Sequence, residues 1–290
     1  MSSDAILLTA HGTVENLEDL PEFLRRIRHG RPASAELLAE MQRRYTAIGG
    51  SPLLRITREQ AGLLERELGL RVFVGMRLFR PELSDALAEA QRAGAKRLVV
   101  LPLAPFSVHV YAAAAEKARA ELELPLTLVS AQPFGQSPEF VEAQVALIAP
   151  ALGDPSEEQL LFTAHSLPRK VIDAGDPYAE QVAACARAIG ARLGRDYELV
   201  YQSQGADGGE WLGPDLESAL RTAQARGRKR VVVAPIGFVS DHVETLYDLD
   251  IEGKRWANDL GLRFTRIPAP NTAPQLIQAL AAVARRALFG

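Results

Sequence analysis

Short apolar segments alternate with segments of helical period along the whole chain. In the clearest example, Leu83, Leu87 and Ala90 recur at helical spacing, and the apolar run Leu98–Leu101 follows them. A short run of Val and Leu bounded by turn residues is typical of a parallel strand that helices cover on both faces. The pattern therefore predicts an α/β fold with two open parallel sheets. The predicted strands are Ala5–Thr9, Arg71–Gly75, Leu98–Leu101, Leu126–Ser130, Gln159–Thr163, Glu198–Gln202, Val231–Val233 and Arg263–Ile267.

The chain contains an internal repeat. Pro81–Tyr111 aligns without a gap with Pro214–Glu244 at a constant offset of 133, and 15 of the 31 positions are identical. A second similarity, at an offset of 154, links Leu7–His11 with Leu161–His165. The first half therefore carries 21 extra residues, which we expect between residues 13 and 51. The repeat predicts two homologous domains, residues 1–150 and 151–290, with the last helix (about 274–289) packed back on the first domain.

Composition and charge exclude several classes of protein. The chain has 33 basic and 36 acidic side chains, so neither nucleic acid nor an anionic membrane surface is an expected partner. The most apolar stretch, Leu98–Val108, has about half of the ~20 residues that a membrane span needs, and the N-terminus lacks the basic start of a signal peptide. The single cysteine, Cys185, cannot hold an iron–sulfur cluster, and its helical context predicts a buried, inert thiol. We expect a cytoplasmic protein that is a monomer.

Polar side chains that suit catalysis follow the predicted strands. Ligands bind at the carboxyl ends of parallel strands, so the two copies of the repeat should present two half-sites that face one another across a cleft. A single histidine past a strand is more often structural than catalytic, but His11 and His165 stand at matching positions of the repeat, which leaves both roles open. The residues of this kind are His11, Ser107, His109, Tyr111, His165, Ser240, His242 and Glu244.

A line of carboxylates follows one of these strands. If the chain is α-helical from about residue 241, Glu244, Asp248 and Glu252 lie at i, i+4 and i+8 on one face. Like charges at this spacing repel, whereas a series of oxygen ligands suits a hydrated cation that is passed inward. The alternative is a solvated helix face, with Leu246 and Ile251 on the apolar side.

Several ordered motifs resemble those of the ferrochelatases. They begin with Ala164–Pro168 and Gly175–Tyr178, with Gln181, and continue with Trp211–Pro214 and Pro235–Glu244. Near the N-terminus, residues 27–31 and 44–53 are similar to the branch of the family that uses coproporphyrin. The resemblance extends over essentially the whole chain. It implies the chelatase fold, with two Rossmann-like domains, and insertion of Fe²⁺ into a porphyrin, coproporphyrin III by preference, in haem biosynthesis.

The same resemblance implies roles for individual residues. It places the iron site at His165 and Glu244, and the acidic line then supplies Asp248 and Glu252 as a candidate relay for the metal. The implied porphyrin contacts are Arg28, Arg44, Tyr45, Ser51 and Tyr111. Arginines suit propionate groups because a guanidinium binds a carboxylate through two hydrogen bonds.

His11 stands where the coproporphyrin branch usually has a tyrosine. We expect His11 to approach the porphyrin from the face opposite to His165 and to act as an axial ligand of the product iron. The resemblance also implies that Fe²⁺ is a substrate, that no cofactor is permanently bound, and that other haem-pathway enzymes are transient partners.

Three alternatives stay open at the level of the sequence. The porphyrin of a ferrochelatase can be protoporphyrin IX instead of coproporphyrin III. A cobalt or nickel chelatase for a more carboxylated tetrapyrrole can have the same fold, and we expect it to use histidine-rich metal contacts. A non-enzymatic haem or porphyrin carrier needs a cleft but has no use for a line of carboxylates.

Overall fold

The computed structural model describes residues 3–205 and 209–290. All eight predicted strands are present, and their ends differ from the prediction by no more than two residues. The strands are β1 (Asp4–Ala10), β2 (Val72–Met76), β3 (Arg97–Pro102), β4 (Thr127–Ser130), β5 (Glu158–His165), β6 (Glu198–Gln202), β7 (Arg230–Ala234) and β8 (Arg263–Arg266).

Helices connect these strands. Two of the longest, α3 (Leu53–Leu68) and α8 (Tyr178–Leu193), end at Gly69 (φ 66°) and Gly194 (φ 61°), in the left-handed conformation that terminates many helices. The α-helices of the described residues are α1 (Leu20–Ile27), α2 (Ala35–Ala47), α3 (Leu53–Leu68), α4 (Leu83–Arg92), α5 (Val108–Glu121), α6 (Pro138–Ile148), α7 (Arg169–Asp173), α8 (Tyr178–Leu193), α9 (Leu216–Ala225), α10 (Val243–Leu246), α11 (Lys254–Asp259) and α12 (Pro274–Phe289). A π-helix at Asp248–Gly253, named the π-turn below, lies between α10 and α11.

The strands form two parallel sheets with the same topology. Sheet 1 has the order β2-β1-β3-β4 and sheet 2 the order β6-β5-β7-β8, and every neighbouring pair is parallel. Matching positions of the repeat are buried in the two cores, for example Leu98 of β3 and Val231 of β7. The α/β fold with two helix-flanked parallel sheets is therefore confirmed.

The connections differ between the two halves. Between β1 and α3 the first half carries α1 and α2, whereas between β5 and α8 the second half carries only the five-residue α7. The helices α1 and α2 lie within the segment 13–51, where the sequence predicted the extra residues.

The contacts divide the chain into two compact units. One unit extends to Pro133 and includes Asn271–Gly290, and the other is Phe134–Pro270. The division lies earlier than residue 150 because α6 packs against α8 of the second unit. Helix α12 packs against α3 and β3 of the first unit, where the Arg285 guanidinium donates to the carbonyl oxygen of Glu67 (3.0 Å).

Two smaller expectations concern the helices. Within the described residues, none is long and apolar enough to cross a lipid bilayer. Cys185 is buried in α8, and burial raises the pKa of its thiol to about 12. The thiol is therefore protonated at neutral pH, as the sequence predicted for an inert cysteine.

Candidate functional site

The second unit brings His165 and Glu244 into direct contact. His165 is the last residue of β5, a central strand of sheet 2, and Glu244 lies in α10, on the segment that follows the neighbouring strand β7. The Nδ1 atom of His165 lies 3.0 Å from Oε2 of Glu244. Both side chains are partly exposed, 35% for His165 and 29% for Glu244. The pair therefore lies at the carboxyl edge of the sheet and can be reached by a ligand.

The two groups of this pair determine each other's protonation. Burial disfavours the charged imidazole, but the charge and the hydrogen bond of Glu244 outweigh it, so the pKa of His165 is raised above its usual value. Burial likewise disfavours the carboxylate, yet the imidazoles of His165 and His242 hold the pKa of Glu244 well below its usual value. Glu244 is therefore an anion at neutral pH.

Neighbouring side chains hold the backbone of the pair. The Tyr178 hydroxyl donates to the carbonyl oxygen of His165 (2.8 Å). Gln202, which is next to His165 in the register of β5 and β6 and is only 5% exposed, donates from Nε2 to the carbonyl oxygen of Glu244 (2.8 Å). Neither residue has a role that the sequence alone predicted. Gln202 ends β6 and could have been found by the strand-end rule applied to His165.

His242 completes the immediate surroundings of Glu244. Its Nε2 atom lies 3.6 Å from Oε2 of Glu244, and its backbone N–H donates to the Thr245 hydroxyl (3.0 Å) at the start of α10. Within the described residues, no group of three or more His, Cys, Asp or Glu side chains is arranged to hold a metal ion.

The acidic line is not a continuous α-helix, so this part of the prediction is wrong. Helix α10 has only four residues, and the π-turn follows it. The carbonyl oxygen of Tyr247 accepts from both Ile251 N–H (3.1 Å) and Glu252 N–H (3.0 Å), and the second of these is the i+5 bond of a π-helix. The extra residue in this turn moves the following side chains around the axis. Ile251, predicted on the apolar side, is 38% exposed, whereas Leu249 is buried.

The two outer carboxylates have different environments. Asp248 is 8% exposed and accepts a hydrogen bond from the Ser203 hydroxyl beyond β6. Glu252 lies on the far side of the i+5 bond and is partly exposed. The α-helical spacing predicted for Glu244, Asp248 and Glu252 is therefore replaced by a π-helical one after Asp248. Their role as a metal relay stays a prediction.

In the first unit, three predicted porphyrin contacts lie on or beside the segments that follow strands. His11 directly follows β1. Tyr45 of α2 is 2% exposed, and its hydroxyl is 3.1 Å from that of Thr13. Tyr111 lies in the first turn of α5, where the Arg77 guanidinium stands 5.6 Å from the centre of its ring.

The other three predicted contacts lie at helix ends in the same unit. Arg28 follows α1, Arg44 lies in the last turn of α2, and Ser51 precedes α3. The Nε atom of Arg44 donates to Oε1 of Glu40 (2.6 Å). The roles of these residues in porphyrin binding stay predictions.

A cavity of about 490 Å³ opens at the opposite, amino-terminal edge of sheet 2. Its lining includes the arginines 187, 195 and 228 and the buried Glu158. Arg195 and Arg230 both pair with Glu158 at 2.8 Å, and Arg228 donates to the carbonyl oxygens of Pro155 and Ser156. Of the lining arginines, Arg195 is thus paired with a carboxylate and Arg228 is bound to backbone carbonyl oxygens, and the cavity lies at the other end of β5 from His165.

Solved structures define the class of the fold. SirB from Bacillus subtilis with Fe³⁺ superposes with a TM-score of 0.61 and 14% identity, over 98% of this chain and 95% of that chain. The sirohydrochlorin chelatase SirB from Bacillus subtilis subspecies spizizenii, in complex with cobalt, gives a TM-score of 0.57 and 15% identity with the same coverage. At this identity the likeness concerns the fold alone, and the fold is that of a chelatase.

The family follows from the sequence comparison. The Ferrochelatase family model matches residues 3–288, and the chain belongs to the ferrochelatase family. A coproporphyrin III ferrochelatase of Anoxybacillus flavithermus is 38% identical over 297 aligned positions, which cover 96% of this chain and 94% of the relative. The coproporphyrin III ferrochelatase of Bacillus subtilis is 35% identical and covers 98% and 97%. A ferrochelatase of Herpetosiphon aurantiacus is 33% identical over 96% and 97%.

Proposed function

We propose that this protein is a coproporphyrin III ferrochelatase, which inserts Fe²⁺ into coproporphyrin III to give the iron porphyrin of haem biosynthesis. The observation that carries the proposal is the His165–Glu244 pair at the end of β5 (3.0 Å), in a chain that matches the family model over residues 3–288. Relatives that are named coproporphyrin III ferrochelatases, at 35–38% identity over nearly their whole length, favour this porphyrin.

The pair has the chemistry that metal insertion needs. Insertion replaces two pyrrole N–H protons by one Fe²⁺ ion, so a base must accept the protons as the metal enters. An ionised carboxylate only accepts hydrogen bonds, so in the 3.0 Å contact the Nδ1–H group of His165 donates to Glu244. In neutral His165 the lone pair then lies on Nε2, which is the atom available to take a pyrrole proton.

Glu244 has a second task in this proposal. Its carboxylate supplies hard oxygen donors beside the imidazole, and the remaining positions around Fe²⁺ are left to water and to the pyrrole nitrogens. Asp248, held by Ser203, is the next carboxylate along the chain and is proposed to deliver hydrated metal to Glu244. Nitrogen and oxygen donors of this type bind Cu²⁺ and Zn²⁺ more tightly than Fe²⁺, so selection of iron depends on which metal is supplied.

The proposal also covers partners and cofactors. Porphyrin and Fe²⁺ are both substrates, and no cofactor is permanently bound. One cysteine, Cys185, is too few for a cluster ligated by four thiolates of the chain. We further propose that the protein works as a monomer in the cytoplasm, with transient contacts to other enzymes of haem biosynthesis.

A comparison of porphyrins under anaerobic conditions tests the proposed function. The protein is given Fe²⁺ with coproporphyrin III or protoporphyrin IX, and metal insertion is followed by absorbance. Multiple turnovers with a higher kcat/KM for coproporphyrin III are expected. A higher kcat/KM for protoporphyrin IX would show that the proposed substrate is wrong but that the proposed reaction is right. Tight binding of both porphyrins without turnover would contradict the reaction and indicate a carrier.

A further inference from the structure

Arg266 joins the two ends of the segment that carries the candidate iron ligands. It is the last residue of β8, the edge strand of sheet 2, and its side chain is only 12% exposed. Its Nη1 atom donates to Oδ1 of Asp241 (2.7 Å). Its Nε and Nη2 atoms donate to the two carboxylate oxygens of Asp250 (2.7 and 2.8 Å). One guanidinium thus binds two carboxylates, and one of the two contacts is bidentate.

The two carboxylates bound by Arg266 lie on either side of the predicted iron-handling residues. Asp241 precedes Glu244 by three positions, and Asp250 follows Asp248 by two, inside the π-turn. Asp241 also accepts from the Thr245 hydroxyl (3.0 Å), which ties the start of α10 to the same network. A side chain from β8 therefore holds the distance in space between the two carboxylates.

The opposite side of this segment is held from β6. Gln202 binds the backbone of Glu244, and Ser203 binds the side chain of Asp248. A π-helical turn has a poorer hydrogen-bond pattern than an α-helix, so it persists where tertiary contacts select it. Without Arg266 the segment loses its side-chain anchor on the β8 side. The α-helical pattern, in which the i+5 bond becomes an i+4 bond and the later side chains rotate by about 100°, then competes with the π-turn.

We propose that Arg266 is a positioning residue for iron delivery, which acts by clamping Asp241 and Asp250 so that Asp248 and Glu244 keep their spacing. The proposal rests on the proposed ferrochelatase function. The two carboxylates that Arg266 binds lie on either side of the residues proposed to hold and deliver Fe²⁺, so we expect its effect on the supply of metal and not on the binding of porphyrin.

The test compares substitutions at Arg266 with a matched control on the same strand. Arg266→Gln removes both contacts, Arg266→Lys keeps the charge without the bidentate geometry, and Arg263→Gln removes an exposed arginine at the start of β8. For each variant, KM for Fe²⁺, KM for porphyrin, kcat and the thermal midpoint are measured. Loss of a residue that orients metal ligands typically costs about 10- to 100-fold.

We expect Arg266→Gln to raise KM for Fe²⁺ about 10-fold, with KM for porphyrin within twofold of the wild type. Arg266→Lys should be intermediate, and Arg263→Gln should match the wild type. A lower thermal midpoint with unchanged KM for Fe²⁺, or an equal rise in KM for both substrates, would overturn the proposal because either result indicates a general structural role.

Asp250→Asn keeps the test decisive if Arg266→Gln does not fold. Asp250 is 39% exposed, so its substitution removes the bidentate contact but leaves a smaller buried defect. It must raise KM for Fe²⁺ several-fold, and an unchanged value rejects the clamp. Failure of the proposed function looks different: the wild-type protein itself then metallates neither porphyrin.

Discussion

At the scale of single residues, the chemistry of the site depends on how Glu244 and His165 modify each other. The imidazole keeps Glu244 ionised, and the carboxylate orients the ring and raises the pKa of His165. A neutral amide at position 244 can still form a hydrogen bond, but it offers no charge to Fe²⁺ or to the protonated imidazole.

Glu244→Gln should therefore reduce the rate of metal insertion at least 100-fold, which is the range expected for loss of a group in proton transfer. Porphyrin affinity, measured by fluorescence quenching, should stay within twofold of the wild type. Glu217→Gln makes the same change on an exposed face of α9 and should leave the rate unaffected. Insertion by Glu244→Gln within threefold of the wild type would remove Glu244 from the reaction.

Two threonines of the repeat provide a prediction on stability. Thr9 and Thr163 occupy matching positions of β1 and β5, both are 0% exposed, and neither side-chain hydroxyl has a hydrogen-bond partner within the described residues. An unsatisfied buried hydroxyl is unfavourable, and an apolar group of the same shape removes that cost.

We expect Thr163→Val to raise the free energy of unfolding by about 1 kcal/mol, measured by urea denaturation. Thr57→Val is the matched control. Thr57 is equally buried, but its hydroxyl donates to the carbonyl oxygen of Leu53 (2.8 Å), so this variant should be destabilised by a similar amount. Destabilisation of both variants would show that the Thr163 hydroxyl has a partner such as a buried water.

At the scale of elements, the strands were predictable and the turn after α10 was not. A parallel strand covered on both faces must be apolar along its length, so β3 and β7 are visible in the sequence as runs of Val and Leu. The π-turn has no such pattern, because it depends on Arg266 and Ser203 from elsewhere in the fold. Sequence spacing alone therefore predicted a regular helix.

The same distinction explains which site residues the sequence revealed. His165 and Glu244 belong to repeated or ordered motifs, and their side chains contribute the chemistry. Gln202 and Tyr178 act on backbone carbonyl oxygens. A contact of this kind requires only a donor at the right place in the fold, so the sequence can mark the position of such a residue, as the end of β6 marks Gln202, but it does not show the contact.

The two outer carboxylates are not expected to contribute equally. Asp248 is buried and held in place by Ser203, whereas Glu252 lies four residues further along the chain and is partly exposed. At limiting Fe²⁺, Asp248→Asn should raise KM for the metal about 10-fold, and Glu252→Gln should raise it less than threefold. Steady-state kinetics with both variants check this order, and a larger effect at Glu252 would contradict it.

At the scale of the whole molecule, the repeat has produced two halves with the same topology and different chemistry. His11 corresponds to His165, and Tyr111 corresponds to Glu244 at the offset of 133. The first half therefore has a histidine at the position of His165 but a tyrosine at the position of Glu244. This difference favours a ligand-binding role for His11 and a catalytic role for His165.

His11→Ala should accordingly leave the rate of insertion within threefold of the wild type and change the axial ligation of the bound iron porphyrin. Imidazole is a strong ligand of haem iron, so its loss should be visible in the absorption and resonance Raman spectra of the product complex. Unchanged spectra would mean that His11 only forms part of the wall of the binding site.

In the proposed mechanism, this chain inserts Fe²⁺ into a porphyrin and His165 is the base that accepts the pyrrole protons. The most direct test is the single-turnover rate of insertion by the wild type and by His165→Ala, each saturated with coproporphyrin III before Fe²⁺ is added under anaerobic conditions. We expect rapid insertion by the wild type and a single-turnover insertion rate at least 100-fold lower for His165→Ala, with equal porphyrin binding. Insertion by His165→Ala within threefold of the wild type would contradict this mechanism.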